Sequence, residues 1–121
     1  MKLFLESTKV INLQFSNIEI EDRLGYEPEV IDSNTFVINF KFSHNHKDNM
    51  SIILDYQAVF KTEDNIDKNL LENPFLHVNA PAIAYPFLRA YIANLLLISG
   101  YDPLMLPSIN FDAMWKSRTI K

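Results

Sequence analysis

His44 and His46 form a His-x-His pair, and on a strand two rings spaced this way project to one face, where they can share a metal ion. A closed site needs about four ligands, and no third is fixed nearby. The pair belongs to the polar run His44-Asn45-His46-Lys47-Asp48-Asn49, which reads as a solvated hairpin turn. His77 stands alone and reads as packed or half-exposed. Glu19, Glu21 and Asp22, or Glu27 and Glu29, have the residue types of an acid–base pair. Nothing in their spacing sets the separation or burial that would drive two carboxyl pKa values apart, so they read as acidic surface. The chain has no cysteine and two glycines, which removes disulfides, thiolate zinc sites, a cysteine nucleophile and a phosphate-cradling glycine loop. No serine stands in a nucleophile elbow. These residues call for no enzyme, no metal and no cofactor.

The apolar side chains are more informative. The sequence holds nine Phe, five Tyr and one Trp, and strand alternation accounts for most of the phenylalanines. It does not account for Val10, Val37, Ile53 and Val59, nor for Met105, Met114 and Trp115. These are either scattered surface residues, which are common, or an adaptable surface that accepts unrelated apolar segments, for which Met and aromatic side chains are suited.

The elements that must carry these residues begin with strands. Ile11, Leu13 and Phe15 alternate with polar neighbours, and Ile18 and Ile20 continue in the opposite phase, so a bulge is expected near Ser16-Asn17. Arg23 to Asn34 shows no sustained period and reads as a connecting loop. Phe36, Ile38, Phe40 and Phe42 then alternate strictly, and so do Ile52, Leu54, Tyr56, Ala58 and Phe60, which predicts an antiparallel sheet with one packed face. Asp64 or Asn65 is expected to cap a short helix through Leu71, stopped by Asn73-Pro74. A long helix is expected to open at Pro86 and end at Gly100.

That helix is apolar on two adjacent stripes, Phe87, Tyr91, Leu95 and Ile98 beside Leu88, Ile92 and Leu96. A helix apolar on several faces needs cover on more than one side. The sheet covers one stripe, and Leu88, Ile92 and Leu96 are assigned to a second copy of the chain. A membrane span is the rival reading, opposed by Pro86, Asn94 and a central Arg89, which costs about 2.5–3.5 kcal/mol on insertion scales. No stable membrane insertion is expected. After Pro103 and Pro107, Asn110 or Asp112 is placed to cap a short C-terminal helix.

At 121 residues the chain fits one domain, residues 1–121. A net charge of −4 offers no steering toward nucleic acid. The absence of cysteine and of a long apolar run after Met1-Lys2-Leu3-Phe4-Leu5-Glu6 leads to a cytoplasmic expectation.

Two stretches carry a family likeness. Ala82-Ile83-Ala84-Tyr85-Pro86-Phe87-Leu88-Arg89-Ala90-Tyr91-Ile92 and Pro103-Leu104-Met105-Leu106-Pro107-Ser108-Ile109-Asn110-Phe111-Asp112-Ala113-Met114 resemble the C-terminal half of SecB, a bacterial export chaperone. The resemblance implies an α+β fold in which a four-stranded antiparallel sheet carries a long and a short helix on one face, assembled as a homotetramer, a dimer of dimers. It implies ATP-independent binding of unfolded polypeptide in apolar grooves, with Tyr26 in a crossover loop, Phe60 at a strand end, Met105, Met114 and Trp115 as client-binding residues. Docking to an export motor would use acidic residues on the outer sheet face. Two of those positions align with Val10 and Gln14, and Asp55 keeps acidic character at a third. The basic ending Lys116 to Lys121 differs from a motor-binding tail. A divergent SecB-like protein, including the kind that serves a toxin–antitoxin pair, is therefore the description that fits. An oligomeric adaptor for one dedicated partner, such as an antitoxin, is the alternative.

Overall fold

The structure, a computed structural model, describes residues 2–119 apart from Asp48, Lys68, Leu70 and Leu71. Four strands, β1 (Leu3–Ser16), β2 (Arg23–Asp32), β3 (Thr35–His46) and β4 (Met50–Thr62), are followed by a π-helical turn (Phe75–Asn79) and two helices, α1 (Ala80–Ile98) and α2 (Phe111–Thr119). The sheet is antiparallel with strand order β1-β4-β3-β2, so β1 and β2 are both edges.

The strict alternation of β3 and β4 makes the core. Phe36, Ile38 and Phe40 face inward with no exposed surface, as do Ile52, Leu54, Ala58 and Phe60 on β4. Leu76, Ala80, Ala84, Leu88, Ile92 and Leu96 from the helical layer close over them. Full burial of each large side chain contributes about 1.5–3 kcal/mol. Val37 points to the other face and is nevertheless 3% exposed, flanked in register by Glu29 and Val59.

Several local expectations are corrected. Arg23 to Asp32 is a strand: Leu24, Tyr26, Pro28 and Val30 pair with the inward residues Phe42, Phe40, Ile38 and Phe36, a period of two that Gly25 and Pro28 disguise. Pro28 is tolerable because β2 is an edge. The register slips of β1 lie between Leu5 and Ser7 and between Val10 and Asn12, not near Ser16. Glu6 and Ile11 are the extra residues. Ile18 and Ile20 belong to a connection outside the sheet, where Asn45 Oδ1 accepts the Ile20 N–H at 2.9 Å and Ser51 Oγ donates to the Ile18 carbonyl at 2.8 Å. β3 runs through His46, and Asn49, at φ 56°, lies in the turn before β4, so His44 and His46 sit on the strand itself.

The start of the long helix is corrected as well. Pro81 occupies its first turn and Pro86 lies inside it. Pro86 and Ala82, whose carbonyl loses its i+4 partner, are both exposed, so water can replace the missing bond. Pro74, expected as a stop, instead precedes the π-helical turn that runs directly into α1. Residues 63–67 are not helical, and the rest of the short helix expected through Leu71 falls largely outside the described residues. The far end conforms: Gly100 has φ 91°, and the Tyr101 N–H returns to the Leu96 carbonyl at 2.8 Å, the left-handed cap that glycine favours. Asn110 caps α2 through Oδ1, which accepts the Ala113 N–H at 3.0 Å.

Candidate functional site

An apolar groove lies where the sheet meets the connection between α1 and α2. Leu24 of β2 and Phe42 of β3 form its floor, Tyr85 of α1 one wall, and Leu106, Pro107 and Ile109 the other, with Asp22, Arg23, Ser43 and His44 at the rim; the space measures about 310 Å³. The connecting wall has no helix or strand of its own between Asp102 and Asn110. Side chains hold it at two backbone carbonyls: Tyr85 OH donates to Pro107 at 2.7 Å, and His46 Nε2 bonds Asp102 at 2.7 Å. Leu104, Leu106 and Ile109 pack on the core.

Burial pushes the Tyr85 hydroxyl above its ordinary pKa, with Arg89 pulling the other way, so the ring remains a donor to Pro107. His44 stacks on Phe42 with ring centroids 6.0 Å apart and 21° between planes. Burial lowers its pKa, Asp22 raises it and His46 lowers it further, which favours the neutral ring. Its Nε2 lies 3.3 Å from His46 Nδ1. Among the described residues no group of three or more His, Cys, Asp or Glu is placed to hold a metal ion.

The residues singled out in the sequence for client contact do not converge on one surface. Tyr26 is 3% exposed and Phe60 has no exposed surface, so both belong to the core and neither offers surface to the groove. Tyr26 lies on β2 rather than in a loop, donates its hydroxyl to the His77 carbonyl and meets Phe111 edge-on at 5.5 Å. Phe111 in turn meets Tyr85 edge-on at 5.4 Å, so Tyr26 props the groove wall from behind. Phe60 stacks on Phe36 at 5.1 Å and 6°. Trp115 is half-buried on His77, 5.2 Å away, and Met114 packs against the core. Met105 alone of the five is freely exposed, at 72%, in the connecting segment next to the groove-lining Leu106. Leu24, Phe42, Tyr85, Leu106 and Ile109 line the groove and were not singled out in the sequence; four lie in segments read as loop, helix start or proline-rich connection, and only the Pro103–Pro107 punctuation flagged the wall.

The stripe assigned to a second copy is also corrected. Leu88, Ile92 and Leu96 have no exposed surface in the chain itself, because at i, i+4 and i+8 they share the face that meets the sheet. The apolar residues that α1 leaves uncovered are Ile83, Phe87, Leu97 and Ile98, Ile98 at 81% exposed. By length and composition alone the stretch Leu76–Ile98 could cross a membrane, with mean hydropathy 1.4; its buried stripe is that of a core helix.

On the outer sheet face Asp55 pairs with Lys41 at 3.4 Å, and Gln57, Asn39 and Glu29 form a cross-strand ladder at 3.1 and 3.3 Å. Gln14 shares this face with its register partner Ile53, whereas Val10 pairs with Tyr56 and faces the helices. Val10 therefore does not occupy an outer-face docking position.

Residues 10–121 match the family model described as preprotein translocase subunit SecB. The chain belongs to the SecB family. A protein-export protein SecB of Anaplasma marginale is 35% identical over 65 residues, covering 54% of this chain and 37% of that protein. The SecB of Zymomonas mobilis is 26% identical over 106 residues, covering 85% of this chain and 63% of its own length. The chain thus spans well under two thirds of one SecB relative and 63% of the other. A SecB-like chaperone of Mycobacterium tuberculosis, solved in complex with a ChAD peptide from the HigA1 antitoxin, has the same fold with a TM-score of 0.67 at 14% identity, over 88% of this chain and 87% of that one.

Proposed function

We propose that this SecB-family chain is an ATP-independent chaperone that holds unfolded polypeptide in the groove between Tyr85, Phe42 and the Leu106–Ile109 wall. The observation that carries the reading is that groove: an apolar trough beside an edge strand, with a non-regular wall that carries an exposed Met105. Such a surface accepts side chains by burial rather than by shape, and an extended client can add backbone pairing at the sheet edge. The activity is non-enzymatic, because holding a client makes and breaks no covalent bond, and it needs no cofactor. A cytoplasmic, single-domain protein without stable membrane insertion or nucleic-acid binding fits this role.

Self-assembly is part of the proposal. Phe87, Leu97 and Ile98 on α1 and the free edge of β1 are the surfaces open to a second copy, in a dimer or a dimer of dimers. The direct test is light scattering of an aggregating unfolded client with and without the chain and no nucleotide. Suppressed aggregation is expected; a monomer that leaves the client's aggregation unchanged overturns the reading.

A second reading, a chaperone dedicated to one partner such as an antitoxin and without a role in export, is favoured by two observations. Asp55 is neutralised by Lys41, which weakens the outer face as a motor-docking surface, and the Mycobacterium tuberculosis relative in fold holds an antitoxin peptide. Isolation of the chain with a single stoichiometric partner supports this reading over a general one.

A further inference from the structure

We propose that His44 is a proton switch on the groove, its neutral ring forming part of the client-binding surface and its protonated ring excluding apolar client; the proposal rests on the groove reading above. The hydrogen-bond chain fixes where the proton goes. His46 Nε2–H donates to the Asp102 carbonyl at 2.7 Å, which leaves its Nδ1 as an acceptor. His44 Nε2–H donates to that Nδ1 across 3.3 Å. The free nitrogen of the pair is therefore His44 Nδ1, 3.7 Å from Asp22 Oδ1 and at the groove rim.

The charged groups around the pair are Asp22 just before β2, Arg23 at its first position, Glu19 before them, Lys47 next in the chain, and Asp102, whose carboxylate Lys47 holds at 3.2 Å. Asp22 steadies one proton at Nδ1. The first proton therefore enters at His44 Nδ1, beside Asp22 and on the groove side.

An apolar segment seated over His44 removes the remaining water from the ring, and desolvation disfavours the charged form. Client occupancy and protonation of His44 therefore oppose each other. The coupling is reciprocal: acid releases client, and client lowers the pH at which His44 charges. Phe42, stacked beneath His44, holds the ring in place in either state.

The test uses the full chain and a fluorescein-labelled peptide rich in Leu and Phe, with affinity measured from about pH 7.5 to about pH 5.5, the span in which an ordinary histidine titrates. One linked proton gives a loss of up to about tenfold per pH unit. His44→Phe, which keeps an aromatic ring on Phe42, and His44→Gln, which keeps a donor for His46, should both lose that slope, and either one suffices if the other fails to fold. In the wild type, peptide should move the His44 titration midpoint, followed by NMR, to lower pH. An affinity independent of pH, an undiminished slope in the variants, or an unmoved midpoint overturns the switch while leaving the groove intact. Absence of binding at every pH overturns the groove reading, and the switch with it.

Discussion

The Tyr85 hydroxyl donates to the Pro107 carbonyl across 22 residues of sequence at 2.7 Å, joining the first half of the long helix to the loop that faces it over the groove. This bond and the one from His46 to the Asp102 carbonyl hold the wall in place over the groove.

Tyr85→Phe removes that bond and little else, since the ring can keep its edge-on contact with Phe111. A loss of about 0.5–1.5 kcal/mol in folding stability is expected, with a weaker affinity for an unfolded client, because the Leu106–Ile109 wall is freed at one end. Urea unfolding and client titration measure the two effects separately.

The two stripes of the long helix should respond in opposite ways. Leu88→Ala opens a cavity under the helix and should cost about 2–5 kcal/mol. Leu97→Glu with Ile98→Glu should leave the fold intact, because both side chains are exposed, and should lower the mass seen by light scattering if that surface joins copies. An unchanged mass removes that surface from any assembly.

Phe60 and Met105 separate core from contact surface. Phe60→Ala should cost about 3–5 kcal/mol, since the side chain is wholly buried against Phe36. Met105→Asp should change stability by no more than about 0.5 kcal/mol while weakening client binding. The comparison needs thermal unfolding and a binding curve for each variant.

Folding stability should fall with acid through His44. Its pKa in the folded chain lies below the ordinary 6.5, so the unfolded chain binds the proton more readily. The contribution is complete above about pH 6.5 and is lost as pH falls toward and through the lowered folded value. Urea midpoints measured across that window should decline in the wild type and decline less in His44→Gln.

The sheet's centre was legible because β3 and β4 are packed on one face and their side chains obey a period of two without interruption. The edges were less so. In β2 the inward residues Leu24, Tyr26, Pro28 and Val30 alternate correctly, but Gly25 and Pro28 are turn residues in most settings, and only an edge position makes them strand residues. In β1 each bulge shifts the phase, so the apolar pattern of a 14-residue strand breaks into short pieces.

The helix posed a different problem. Leu88, Ile92 and Leu96 and their neighbours Phe87 and Ile98 are chemically alike, and periodicity shows that two faces are apolar without saying which one meets the sheet. The groove was legible only in part for a related reason. Its walls come from segments brought together by the fold, and Tyr85 reads as one more aromatic residue until its hydroxyl is seen on Pro107. The proline-rich motif marked the loop that walls the groove, whereas Tyr26 and Phe60, which the SecB resemblance implied as client-binding residues, are buried in the core.

The interruptions in the two edge strands bear on how the protein survives its own surroundings. A long, flat strand edge is a template on which extended chains stack into fibres. Here one edge is bent by extra residues at Glu6 and Ile11, and the other carries Pro28, which offers no N–H. A neighbouring strand can therefore match either edge only over short, fixed stretches. A sheet built this way can take on one guest strand and still refuse to become the seed of an endless one.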